Sequence, residues 1–194
     1  MSTAAVILAA DRAEGFAGPK YAALVRGTPM LDRVVADART WPVEEVIVVL
    51  GADAEAIESA CDLTQVSLVI DPEWAEGSAS PLRAVLDLLS RDRDVERCIL
   101  ARGDQPDVGV GVVGPLVDAA VASGAEAVIP KYRYAQGWPL VVGSALWDVF
   151  LGLEGEINPL DVLTNHAASI EEVWLDHLPA PVFSSADTIP APRR

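Results

Sequence analysis

Positive charge is scarce in this chain: 14 Lys and Arg stand against 29 Asp and Glu, a formal net charge of −15. Affinity for a nucleic-acid backbone comes from neutralising phosphates with Lys and Arg, so DNA and RNA are poor partners, and anionic membrane surfaces are disfavoured for the same reason. Long apolar runs are also missing, and none approaches the roughly 20 residues that cross a bilayer. The apolar start, Ala4 to Ala10, has no basic segment before it and is cut by Asp11-Arg12, so it reads as a buried strand and not as a signal peptide. Cysteine is limited to Cys61 and Cys98, with neither zinc-site spacing nor the density of a disulfide scaffold. A cytoplasmic setting with both thiols reduced in the core is expected.

What is present is apolar content of 51% in 194 residues. At that length a folded chain buries roughly 70% of the surface its unfolded form exposes, enough for one core without staples. One domain over residues 1–178 is expected, with a proline-rich, irregular tail over 179–194. Short β-branched runs recur at Ala5 to Ala10, Glu45 to Leu50, Val66 to Ile70, Arg97 to Ala101 and Glu126 to Pro130, and read as strands buried on both faces. Between them, Met30 to Arg39, Ala54 to Ala60, Pro81 to Leu89 and Gly114 to Ala122 have helical period. A further strand at Leu140 to Val142, a helix from about Ala145 to Leu151 and a strand near Val173 follow. The alternation predicts an α/β fold with a mostly parallel sheet covered on both faces, and ligands bind beyond the carboxyl ends of such strands. Ala10, Ile70 and Ala101 should therefore end on one common edge.

Three loops follow those strand ends. Asp11 to Lys20 carries glycines and a terminal lysine, one of only two lysines in the chain, the other being Lys131. Glycine lets backbone N–H groups approach an anion and the ammonium supplies counter-charge, yet by spacing alone an ordinary flexible loop is favoured. Gly103-Asp104-Gln105-Pro106 places a carboxylate where it could hold Mg²⁺, and equally where it could shape a turn. As a turn residue Asp104 should tolerate Asn, and as a metal ligand in metal-free protein it should melt no lower as Asn. Asp71 to Arg83 leads into a helix whose Ser78, Ser80 and Pro81 are start signals. Arg83 opposes the helix dipole there, which an anionic ligand would rationalise. His166 and His177 read as surface or packing residues, and the five tryptophans as core or cover, with Trp74 and Trp138 in suspected ligand loops.

Taken in order, these segments resemble the MobA-like nucleotidyltransferases. Leu8-Ala9-Ala10-Asp11-Arg12-Ala13-Glu14-Gly15-Phe16-Ala17-Gly18-Pro19-Lys20 keeps the spacing of the opening pattern L-A-A-G-x-[ST]-x-R-[MF]-G-x-x-K, and Gly27-Thr28-Pro29-Met30-Leu31 is similar to the G-x-P-[ML]-[LI] after it. Val46 to Gly51 resembles the second strand, Trp74 to Ala84 the W-x-E-G-x-x-S-S-L-R-x-G of the cytidylyltransferase-like branch, and Gly103-Asp104-Gln105-Pro106 the signature G-D-[QM]-P. The resemblance implies a three-layer Rossmann-like, GT-A-type fold. It further implies Mg²⁺-dependent transfer of a nucleotidyl group from a nucleoside triphosphate, CTP or GTP, to a small phosphorylated or hydroxylated acceptor such as molybdopterin, releasing pyrophosphate. In the family Lys20's counterpart holds phosphates and Asp104's counterpart is a metal ligand.

The expected site follows. Lys20 and Asp104 are catalytic, with Asp104 on the metal. Leu8, Ala9, Ala10, Arg12, Lys20, Ser80 and Arg83 bind nucleotide, and Gly137, Trp138 and Pro139 bind the acceptor towards Lys131 to Pro139 and Glu154 to Leu163. Monomer or weak homodimer is expected. The chain departs from the pattern at Asp11 for glycine, Gly15 for arginine, Gly137-Trp138-Pro139 for G-H-P, and Pro181-Val182-Phe183-Ser184-Ser185 for the acidic D-[IV]-D-T-P, with Asp187 the nearest carboxylate. Asp11 would repel triphosphate oxygens by roughly 1 to 4 kcal/mol at about 4 Å, and Gly15 removes a charge that would stabilise the leaving pyrophosphate. An enzyme is the favoured reading; a weakened relative acting as a nucleotide or metabolite binder is the other. In the enzyme, Lys20→Ala should weaken triphosphate binding and leave the fold intact.

Overall fold

The computed structural model describes residues 2–12, 15–16, 18–92 and 94–181. Strands β1 (Ser2–Ala9), β4 (Glu45–Leu50), β5 (Ser67–Ile70), β6 (Val95–Arg102), β7 (Ala127–Tyr132), β8 (Ala135–Gln136), β9 (Leu140–Gly143) and β10 (Ile170–Trp174) make one eight-stranded sheet, and β2 (Leu24–Val25) and β3 (Thr28–Pro29) a small hairpin. The helices are α1 (Met30–Ala38), α2 (Ala54–Ala60), α3 (Ala79–Ser90), α4 (Val110–Ser123), α5 (Trp147–Leu151) and α6 (Pro159–His166). The sheet runs β10-β7-β9-β6-β1-β4-β5, with β8 on β7. The pairs β1–β4, β1–β6, β4–β5 and β7–β10 are parallel, while β9 runs antiparallel between β6 and β7.

Alternation along the strands builds the two cores. In β1, Ala5, Ile7 and Ala9 face the layer of α1, α2 and α4, where Met30, Leu31, Ile57 and Leu116 are buried. Ala4 and Val6 face α3, α5 and α6, against Leu82, Leu86, Phe150 and Leu163. Each Val, Ile, Leu, Met or Phe among them taken fully out of water stabilises the fold by roughly 1.5–3 kcal/mol, so both faces of the central strands hold helices to them.

Most of the expected elements stand within a few residues of their positions. α4 begins at Val110, not Gly114, because Val112 and Val113 are buried in the core and carry the helix's apolar face one turn further back. β5 is not buried on both faces: it ends the sheet, and its Leu68 and Ile70 are 36% and 47% exposed. Cys98 is buried, but Cys61 is only half-buried and so is not a core residue; both are free thiols, and burial pushes each up to about 12. His166 and His177 are exposed, as is Trp174, while Trp41, Trp138 and Trp147 are buried. No helix among the described residues is long and apolar enough to cross a membrane.

Register puts the strand ends together. Ala9 lies beside Leu50, Leu50 beside Ile70, and Leu8 beside Arg102, so β1, β4, β5 and β6 finish on one edge. From β1 the chain winds outward through β4 to β5, then crosses back to place β6 on the other side of β1. The reversal makes the ends of β1 and β6 the switch point of the sheet, and the crevice beyond such a point is where open α/β sheets take ligands.

Candidate active site

The crevice is walled by backbone. Gly103 N–H donates to the Leu8 carbonyl at 2.8 Å, and a Cβ on Gly103 would lie 2.9 Å from both the Ala9 methyl and the Tyr21 ring. Only glycine lets the β6 exit approach β1 this closely. On the other side of β1, Ala52 N–H donates to the Ala10 carbonyl at 2.8 Å, fixing the exit of β4. Leu8, Ala9 and Ala10 thus serve as crevice wall through main chain and small side chains.

A charged network fills the crevice floor. Lys20, 8% exposed at the start of a single 3₁₀ turn, places Nζ 2.7 Å from Oδ2 of Asp104 and 3.1 Å from Oδ2 of Asp11. Asp104 is 3% exposed. Arg102 forks onto it, Nε donating to Oδ1 at 3.0 Å and an Nη to Oδ2 at 2.9 Å. The Tyr21 hydroxyl donates to the other oxygen of Asp11. Burial acts to raise the Asp104 carboxyl, but the bonds and charges of Arg102 and Lys20 outweigh it and hold the group below the usual carboxylate range. Burial and the neighbouring carboxylates of Asp11 and Asp104 push the Tyr21 phenol well up, so it stays a donor.

Three expectations change here. The repulsive Asp11 is already compensated by Lys20 and Tyr21, so what a phosphate meets is a neutralised pair. Lys20 is not a loop lysine free of the core; it is buried between two carboxylates, and its loss would cost stability as well as binding. For the same reason Asp104→Asn cannot leave melting unchanged, because two cations would lose their buried partner.

The other expected residues divide. Arg12 lies over the Trp74 ring, 5.2 Å to its centroid, and pairs with Asp53 at 3.3 Å, which carries the β1 exit towards the β5 exit. Trp138 packs under Arg102 at 6.0 Å, with Gly137 and Pro139 on either side, so the stretch 137–139 adjoins Asp104 through that guanidinium. The carbonyl of Trp138 accepts from the Tyr132 hydroxyl at 3.0 Å. Ser80 and Arg83 serve the chain itself. Ser80 Oγ donates to Asp71 Oδ1 at 3.0 Å, and Arg83 donates to the Leu153 carbonyl at 2.9 Å and pairs with Glu76 and Glu73. The anion that rationalises Arg83 at a helix start is the protein's own. Ser78 is likewise no side-chain cap: its hydroxyl donates to the Ile157 carbonyl and accepts from the Ile157 N–H. The stretch 153–157 therefore braces the start of α3, and Arg83 with Glu76 and Glu154 lines an open pocket there.

Three residues enter that the sequence reading missed. Arg102 and Tyr21 complete the network, and Arg102 had a signal, a charge ending the apolar buried run Cys98 to Ala101 directly before Gly103-Asp104. Asp71, at the exit of β5, is 2% exposed; Oδ1 accepts from Glu73 N–H and Ser80, while Oδ2 has no partner among the described residues. Ala13, Glu14, Ala17, Phe183 and Asp187 lie outside the described residues. Among those described, no group of three or more His, Cys, Asp or Glu is arranged to hold a metal. A cation position is nevertheless built, since oxygens of Asp11 and Asp104 converge on one ammonium, and hard divalent ions take the same oxygen donors with phosphates completing the set.

Residues 5–170 match the family described as MobA-like NTP transferase domain. The chain belongs to that nucleotidyltransferase family. Its fold is similar to the crystal structure of a homologue of Mycobacterium tuberculosis Rv0371c from Mycobacterium sp. strain JC1, with TM-score 0.81, 24% identity and coverage of 94% of this chain and 89% of that one. Rv0371c of M. tuberculosis, solved as a complex with manganese, superposes with TM-score 0.75 at 21% identity over 90% and 89% of the two chains. The nicotine blue oxidoreductase of Paenarthrobacter nicotinovorans is 26% identical over 134 residues, 66% of this chain and 64% of that protein, so the match spans just under two-thirds of that relative. A relative of this chain thus carries a name that records different chemistry, and the reaction has to be argued from the crevice.

Proposed function

We propose that the β1–β6 crevice binds the phosphates of a nucleoside triphosphate, CTP or GTP, and that the protein transfers the nucleotidyl group to a small phosphorylated or hydroxylated acceptor such as molybdopterin. The observation that carries this reading is the Lys20 ammonium, held at the switch point of the sheet between Asp11 and Asp104. Lys20 exchanges the exposed Asp11 for a phosphate oxygen. Arg12, steadied on Trp74, adds charge from the rim. Ser80 and Arg83 contribute by fixing the start of α3. An oxygen of the acceptor, seated against 137–139, bonds to the α-phosphorus as the bond to the pyrophosphate oxygen breaks, and the acceptor's proton passes to solvent. No protein nucleophile is required. A divalent ion, Mg²⁺ in this proposal, supplies neutralisation of the phosphates when bound; Asp104, with Asp11 beside it, would hold it. A cytoplasmic, monomeric or weakly dimeric protein of one domain over 1–178 completes the proposal.

The test is thermal stabilisation by each triphosphate with Mg²⁺, followed by pyrophosphate release with candidate acceptors. A ligand at about a hundred times its Kd raises stability by roughly 2.7 kcal/mol. CTP or GTP should do so in wild type and lose most of the effect in Lys20→Ala; stabilisation by no triphosphate would overturn the reading. One observation favours binding without transfer, the capture of Lys20 by Asp11 where the family pattern has glycine. Stabilisation without pyrophosphate release across the acceptor panel would establish it, and Asp11→Gly should then restore release.

A further inference from the structure

We propose that Arg102 is an internal cation that competes with a divalent metal ion for Asp104 and keeps the nucleotide-free protein free of metal at this carboxylate. A carboxylate offers two oxygens and about four lone-pair positions. Among the described residues three of those of Asp104 are in use, two by the Arg102 fork and one by Lys20. The carboxylate is buried, so it cannot turn an unused side to solvent.

The two cations are not equivalent. Lys20 is a compact charge on a flexible stem, held by one exposed and one buried carboxylate, and a phosphate can draw it away. Arg102 is planar and pre-organised for bidentate pairing, cannot give up its proton, and stands at the end of β6 with Leu8 as its ladder partner and the Trp138 ring beneath it. When Lys20 moves, the fork stays. The charges of Asp11, Asp104, Lys20 and Arg102 cancel, so a divalent ion arriving alone gains no net attraction from these four side chains. One arriving with a polyphosphate brings its own counter-charge.

The proposal rests on Asp104 being the metal carboxylate of the reading above. It is tested with metal alone, whereas nucleotidyl transfer is tested with triphosphates, so the two fail separately. Mn²⁺ is titrated into the full chain without nucleotide, following the free-ion electron paramagnetic resonance signal and the heat of binding. Wild type should bind weakly; Arg102→Met, which keeps length and removes the fork, should bind at least about tenfold more tightly, because the ion no longer has to displace two charge-assisted hydrogen bonds from the carboxylate. Adding Asp104→Asn should abolish the gain. Arg102→Lys, which keeps the charge without the fork, should gain less, and it gives the reading if the Met variant does not fold. Wild-type affinity for Mn²⁺ equal to that of the folded variants, or a gain that survives Asp104→Asn, would overturn the proposal.

Discussion

The exits of β6 and β5 lie on one edge of one sheet and use the same kinds of side chain for opposite ends. At the β6 exit, Asp104, Lys20 and Arg102 are gathered around a crevice and satisfy each other. At the β5 exit, Ser78, Ser80 and Arg83 are spent on holding chain to chain, across to Asp71 and to residues 153–157. The difference teaches that a family-like motif locates a segment on the ligand edge without saying which of its polar groups face the ligand. Partner identity decides that: a charge whose partners are carbonyls and the carboxylates of its own brace is structural, and a charge buried at the switch point is a candidate for chemistry.

The comparison breaks first at Asp104. Asp104→Asn should destabilise the ligand-free protein by about 3–5 kcal/mol, the usual cost of removing one partner from a buried pair, read as a fall in the urea midpoint. The effect has a pH signature. The Asp104 carboxyl lies below its ordinary value of 3.8 in the folded state. A group lowered by folding contributes stability that is fully present above its unfolded value and is lost as pH falls through its folded value. The difference between wild type and Asp104→Asn should therefore be constant through neutral pH and close as pH drops below 3.8. A difference unchanged across that range would show that the charge pairing carries none of it.

On the bracing side the largest effect belongs to Gly77. Its φ is +123°, and a Cβ there would lie 2.4 Å from the Gly155 carbonyl carbon. Gly77→Ala should cost about 3 kcal/mol from backbone strain and overpacking together, while the protein that remains folded keeps its triphosphate affinity. Loss of triphosphate affinity at constant stability would place the brace in the binding site. Smallest is Arg83→Met, expected to lower stability by about 1 kcal/mol through the lost bond to Leu153 and to leave triphosphate affinity unchanged. A tenfold fall in that affinity would erase the distinction between the two exits.

Much of the frame was legible because it rests on local pattern. β4 over Glu45–Leu50 and α2 over Ala54–Ala60 stand as read, since alternation of buried runs with helical periods is written in adjacent residues. α6 over Pro159–His166 was not read as a helix, although Asn158 caps it through Leu160 N–H and Pro159 opens it, because only Val162 and Leu163 carry its apolar face beyond the first turn. The pairing of Lys20 with Asp104 joins residues far apart in the chain, and spacing motifs brought them to one edge. What spacing could not carry was saturation: a charge two residues before Asp104 is visible locally but its fork onto that carboxylate is not, and nothing local says that Leu153 supplies what Arg83 needs. Those depend on how loops lean once the sheet is built.

The place of β9 has a consequence for the making of the molecule. Leu140–Gly143 is inserted between β6 and β7, both of which precede it in the chain. During synthesis β5, β4, β1 and β6 can line up as soon as residue 102 has emerged, with the crevice already outlined by the ends of β1 and β6. β7 has no partner in that half-sheet until Leu140 to Gly143 arrive to bridge it, and β10, which among the described residues pairs with β7 alone, comes last. The nascent chain can thus form its β1–β6 edge first and bring in the stretch 137–139 second, with an open β6 border in the interval where a second copy's strand could dock in place of its own.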